Sequence, residues 1–193
     1  EYGRYFKEGI AIDPNAKEDV LPFFRYHTSK SDGELTSLDA YLERKPDSQT
    51  EIYYVTGDSV SSVANSPHLD PFKARDLEVL YWVDPLDVLI APGLMEYKET
   101  PFKNIDDADI ELPETDEAAE EEETEAALPE KEFNQFIGRC VTTLGDKVVE
   151  VRASTVLKNS PVRLVAPAVA KTPERDRIQR LLNQDYAVPK RIL

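Results

Sequence analysis

One cysteine, two histidines and seven glycines are all that these 193 residues contain of those types. Cys140 is alone, so an internal disulfide and any cysteine-based zinc cluster are excluded. A chain this poor in cysteine belongs to a compartment that does not select for disulfides. His27 and His68 stand in unrelated contexts, and no serine or cysteine beside either has nucleophile-elbow or triad surroundings. The glycines are scattered, and none forms a loop that could cradle a phosphate. No apolar run approaches the roughly eighteen residues of a membrane span, so no membrane partner is expected. Basic residues number 23 against 38 acidic ones and form no stripe, which argues against nucleic acid as a partner. Nothing in these residues reads as an active site.

What the chain has in excess is negative charge, and that charge is concentrated. Of the formal net charge of -15, the segment from Asp106 to Glu132 carries -13, with fourteen acids opposed by Lys131 alone. The rest of the chain is close to neutral, so the acidity belongs to a linker. Between Pro113 and Glu130 no periodic apolar signal survives, and high charge with few large side chains predicts a solvated tether. The run lacks the spacing and turn glycine of a calcium loop.

The most informative stretch is Asp76 to Ile105. Leu77 to Val83 is a near-continuous apolar segment rich in β-branched and aromatic residues, the pattern of a strand buried on both faces. Asp84 then offers an N-cap and Pro85 suits the first helical position. Asp87 places a carboxylate at the third, facing unpaired N–H groups. The helix expected from there carries two apolar stripes: Leu86, Ile90, Leu94 and Tyr97 on one side, Val88, Ala91 and Met95 on the other, with a break or kink at Pro92–Gly93. Such a helix is either clamped between two layers or left open toward another chain.

Upstream, residues 1–12 read as the end of a helix with Tyr2, Tyr5, Phe6 and Ile10 on one side. Residues 16–27 read as a second helix, with Val20, Phe23, Phe24 and His27 at helical spacing and Pro22 as a flaw. Thr36 and Asp39 fit a capping box for a helix reaching about Lys45, before Pro46. Glu51 to Thr56 is a strand, Asp58 caps the stretch that follows, and a short helix over 69–73 returns the chain to Leu77. Strand, crossover and strand make a parallel βαβ unit, extended by a short strand over 102–105. Beyond the acidic run, Phe133, Phe136, Ile137, Cys140, Val141 and Leu144 form an amphipathic helix closed by Gly145. Strands over 147–155 and 162–166 follow, then a helix opened by Thr172 with Ile178, Leu181 and Leu182 on one side. The chain starts at Glu1 without an apolar leader and stops within an apparent strand at Arg191–Leu193, which reads as a piece of something longer. The expected class is α/β: a helical segment over 1–48, a small three-stranded parallel α/β/α unit over 49–112, an acidic linker over 113–132, and an incomplete α+β domain over 133–193.

Several runs in order resemble a known family. They are Phe23-Phe24-Arg25-Tyr26-His27-Thr28-Ser29, Leu35-Thr36-Ser37-Leu38-Asp39-Ala40-Tyr41, Ile52-Tyr53-Tyr54-Val55-Thr56-Gly57 and Val63-Ala64-Asn65-Ser66-Pro67. Leu77-Glu78-Val79-Leu80 with Asp84-Pro85-Leu86-Asp87 comes next, and after the acidic run Asn159-Ser160-Pro161 precedes Val162-Arg163-Leu164-Val165. Each is weak alone, but in this order they resemble the heat-shock protein 90 chaperones, over the later middle domain and the start of the C-terminal domain. The resemblance implies an ATP-driven chaperone of the stress response that holds and remodels partly folded client proteins. It implies a homodimer formed through helices beyond Leu193, and an ATP and Mg site in an N-terminal domain outside this chain. In the family the helix after the LEVLY-type strand helps hold clients. Bacterial members place there an acid, a tryptophan directly after it and an asparagine three residues on. The matching positions are Asp87, Val88 and Ala91, of which only the acid is kept, and Met95 lies on the same apolar stripe. A second client surface in the family is a Met-bearing amphipathic helix, matched here by Ile178, Leu181 and Leu182 without the methionine. Lack of a long charged insert implies a bacterial cytoplasmic member or, alternatively, a mitochondrial or other organellar one.

Two readings compete with the chaperone segment. One is a non-catalytic structural or interaction module with a flexible acidic tether. The other is a small-molecule enzyme using the C-terminal edge of the βαβ sheet near Thr56, Asp58 and Asp84, where no base or phosphate loop stands.

Overall fold

The computed structural model describes residues 3–107, 110, 112–113, 130–154, 157, 160–165 and 191–192. Helix α1 (Gly3–Ile12) leads through a Pro14–Ala16 turn into the four-residue α2 (Lys17–Val20). The next elements are strands β1 (Arg25–Thr28) and β2 (Thr36–Ser37), helix α3 (Leu38–Arg44) and strand β3 (Ile52–Thr56). Short helices α4 (Val60–Ala64) and α5 (Asp70–Lys73) lead to strand β4 (Leu80–Trp82) and helix α6 (Pro85–Ile90). Strands β5 (Glu96–Tyr97) and β6 (Thr100–Asn104) end this unit. Helix α7 (Glu130–Leu144) and strands β7 (Val148–Glu150) and β8 (Arg191–Ile192) belong to the second.

The sheet has six strands in the order β2-β1-β4-β3-β6-β5. Its centre is parallel, as the βαβ pattern predicts: Tyr54 pairs with Leu80 and Thr56 with Trp82 on one side of β3, and Ile52 with Phe102 on the other. Both flanks are antiparallel, with His27 opposite Tyr81 and Glu96 opposite Pro101. Successive strand side chains face opposite ways, so the two faces hold separate cores. Ile52, Leu80 and Trp82 join Tyr26, Leu38, Tyr41 and Ile90 on one face, beneath α1, α3 and α6. Tyr53, Val55, Val79 and Tyr81 join Val63, Leu69, Phe72 and Ile105 on the other, beneath α4 and α5. Trp82 is fully buried, its ring 3.8 Å from that of Tyr54 and flanked by Tyr26 and Phe102.

Three expectations are corrected here. Residues 16–27 do not form one helix, because Pro22 removes a donor and Phe24, Tyr26 and Thr28 are all buried at a period of two. The chain therefore turns into β1, which pairs with β4 and joins 25–28 to the sheet placed over 49–112; the sheet has six strands, not three. The helix from Asp84 stops at Ile90 instead of running to Tyr97. Pro92 cannot donate into it, and the chain passes through a 3-10 turn (Ala91–Gly93) into a hairpin. Lys98 (φ 47°) and Glu99 (φ 63°) make the two-residue connection with both residues left-handed. Two caps also shift by one residue. Ser37, not Thr36, accepts from the Ala40 N–H, and Ser59, not Asp58, accepts from the Ser62 N–H.

A buried polar network ties α3 to the sheet. The Tyr41 hydroxyl donates to the Glu78 carbonyl at 2.8 Å and accepts from the Tyr53 N–H and the Gln49 amide. The buried Glu78 carboxylate accepts from the Thr28 hydroxyl and from the Arg44 Nε and Nη2 at 3.0 and 2.8 Å. Every partner in such a network must be present for it to stabilise rather than cost. Gly57, at the turn after β3, approaches Val63 so closely that an added Cβ would fall 2.1 Å from its Cγ2.

In the second unit α7 matches the predicted amphipathic span, with Gly145 left-handed at its end (φ 54°). The strand expected over 147–155 is the short β7, which pairs parallel with β8, and Val165 bridges Ile192. Most of the acidic linker, and the span with Ile178, Leu181 and Leu182 for which a helix is expected, lie outside the described residues.

Candidate client-binding ledge

The start of α6 is locked by its own sequence. The Asp84 carboxylate accepts from the Leu86 N–H at 3.0 Å, and the Asp87 carboxylate reaches back to the Asp84 N–H at 3.2 Å. These bonds satisfy donors a helix start leaves unpaired. Lys7 on α1 adds the second constraint. Its ammonium lies 2.6 Å from Asp87 and 3.3 Å from Asp84, over the rings of Tyr26 and Phe24. Lys7 is 6 % exposed and Asp87 1 %, so α1 and α6 meet across a buried ion pair. Burial pushes the Asp87 carboxyl up to about 6, against the pull of Lys7. Burial also raises the Tyr26 phenol, helped by the Asp87 charge.

The residues singled out on this helix therefore divide. Asp87 and Val88 are sealed inside: Val88 has no exposed surface, and Asp87 is engaged by Lys7. Neither is available to a client on this surface. Ala91 is half-buried and Met95 is 68 % exposed. Leu89, which lies on neither predicted stripe, is 47 % exposed. Together with exposed Pro92, Gly93 and Glu96 they form an apolar ledge where helix gives way to hairpin. Ile90 and Leu94 anchor its underside in the core. Ile178, Leu181 and Leu182 lie outside the described residues.

Sequence reasoning missed Leu89 and Lys7. Leu89 falls between the two predicted stripes, and inside the helix Pro85–Ile90 that position faces away from buried Asp87, Val88 and Ile90. Nothing local marks Lys7 as a partner, since its acid lies 80 positions away in the chain.

The edge proposed for a small-molecule site carries other duties. Asp84 caps α6 and meets Lys7, and the Gly57 N–H donates to the Trp82 carbonyl. His68 Nε2 lies 3.3 Å from Asp106. Among the described residues no three His, Cys, Asp or Glu side chains gather to hold a metal, and no helix is long and apolar enough to cross a membrane.

A mixed sheet covered on both faces by helices defines an α/β domain of the middle-domain type. It is similar to the middle domain of a Plasmodium falciparum heat shock protein, with a TM-score of 0.52 and 28% identity, over 55% of this chain and 45% of that one. The family model described as Hsp90 protein matches residues 1–187, and the chain belongs to the Hsp90 family. The chaperone proteins HtpG of Mycolicibacterium gilvum and Mycobacterium leprae are each 37% identical to it over 193 residues, all of this chain. The chain spans about 30% of the length of those relatives.

Proposed function

We propose that this chain is a segment of an ATP-dependent molecular chaperone that holds and remodels partly folded client proteins. Its part is to offer client contacts and to carry leverage between domains. The observation that supports client holding is the ledge: Leu89 and Met95 stand exposed on a rigid, doubly covered sheet, with half-buried Ala91 between them. A methionine on a turn adapts to many apolar shapes, and neighbouring Glu96 suits basic clients. Asp87 and Val88 act beneath this surface as supports. Ile178, Leu181 and Leu182 stand as a second client surface.

The described residues do not fit ATP and Mg. The glycines are scattered and no three described His, Cys, Asp or Glu side chains gather at one point; in this reading the nucleotide is held by another domain, and no step is routed through this one. Homodimerisation through helices beyond Leu193 and a bacterial cytoplasmic setting complete the reading. The bacterial relatives favour that setting over an organelle.

The test is Leu89→Asp combined with Met95→Asp, read by affinity for a destabilised model protein. The expected result is a loss of about tenfold or more with an unchanged melting curve. Unchanged affinity in the folded double variant would leave a structural module with no client at this ledge.

A further inference from the structure

At the seam between the two units, α7 does not close against its neighbours among the described residues. A groove of about 450 Å³ runs between Phe133, Ile137 and Cys140 of α7, Val165, and Ile110, which also belongs to the core beneath α4 and α5. That volume falls within the roughly 300–1,000 Å³ of small-molecule clefts. Its described lining is mostly apolar, and two arginines, Arg152 and Arg163, break it.

Arg163 lines this groove, is 9 % exposed, and holds a buried Nη1 with no hydrogen-bond partner. A guanidinium carries its charge at any ordinary pH, so burying it without a partner is costly. Asp106 attracts it from a distance but lies against His68. Arg152 lines the same groove, and its like charge adds to the cost. In a chain of net charge -15, the described residues lining this recess thus supply two guanidiniums and no carboxylate. We infer that this groove binds a small amphipathic carboxylate, its head on the Arg163 guanidinium and its hydrocarbon tail along Phe133, Ile137 and Cys140. A planar carboxylate can accept two parallel N–H bonds from that fork, and apolar walls reward the tail by area.

Cys140, the chain's single thiol, lies in the wall and reports occupancy without labelling elsewhere. The experiment measures how fast a thiol reagent modifies Cys140 in the 193-residue chain with sodium decanoate below its micelle concentration, decanol, or decyltrimethylammonium. Decanoate is expected to slow modification about tenfold and saturably, decanol less than about twofold at the same concentration, and the cation not at all. Arg163→Met should reduce decanoate's protection to decanol's. Equal protection by decanoate and decanol, or none by decanoate, overturns the inference. That comparison uses the unaltered chain, so a poorly folding variant would not decide it. The readout is a reaction rate at one sulfur and is independent of client binding.

Discussion

The amphipathic helices α6 and α7 announce themselves by the same spacing of apolar residues, yet they end in opposite surroundings. α6 is pressed onto the sheet by α1 and a buried charge pair, and past its first residue it faces outward at Leu89 and the turn that follows. α7 leaves Phe136 and Val141 about half exposed and opens a groove beside Cys140. Periodicity reveals that a helix has an apolar side, but how many layers cover it depends on what the rest of the chain can bring. The first unit brings six strands and two cores; the second, over its described residues, brings two short strands.

The difference can be broken most forcefully at its centre. Trp82→Ala removes the ring that Tyr26, Tyr54 and Phe102 pack around and should cost about 3–5 kcal/mol in urea unfolding of the first unit. Lys7→Met should cost about 3 kcal/mol, because Asp87 stays buried without its countercharge. Replacing both together, Lys7→Met with Asp87→Leu, should recover most of that loss.

A pH series sharpens the same contact. The folded Asp87 carboxyl lies near 6 and its ordinary value is 3.8, so the folded state holds the extra proton between them. Its contribution to stability is therefore complete below about pH 3.8 and is lost as pH rises through about 6, a change on the order of 3 kcal/mol. Asp87→Asn should flatten that part of the stability profile. Gly57→Ala should cost about 1–2 kcal/mol, because the new methyl meets Val63 in the turn after β3. Phe136→Ala on exposed α7 should change stability by no more than about 0.5 kcal/mol. A larger effect would mean that α7 is covered as fully as α6.

The parallel centre of the sheet and the span of α7 were legible because each rests on a local repeat. Glu51 to Thr56 and Leu77 to Val83 are β-rich runs separated by a crossover, and Phe133 to Leu144 keeps helical spacing up to a left-handed glycine. β1 was hidden because Val20, Phe23, Phe24 and His27 also fit a helix; the choice was made by β4, whose Tyr81 pairs with His27, 54 positions away in the chain. At the ledge, Asp87 was legible as a helix-start acid but its burial was not. That follows from Lys7, a contact between distant parts of the chain. Met95 fits a helical stripe by spacing, yet it is exposed because the helix has already ended.

Trp82 gives the molecule a built-in optical gauge. As the only indole, stacked on a phenol inside the first unit, it makes emission excited near 295 nm report on that sheet alone, while α7 and its short strands stay dark. Helical circular dichroism would register both halves. A melt followed by the two signals together would show whether the halves come apart in one event or in two.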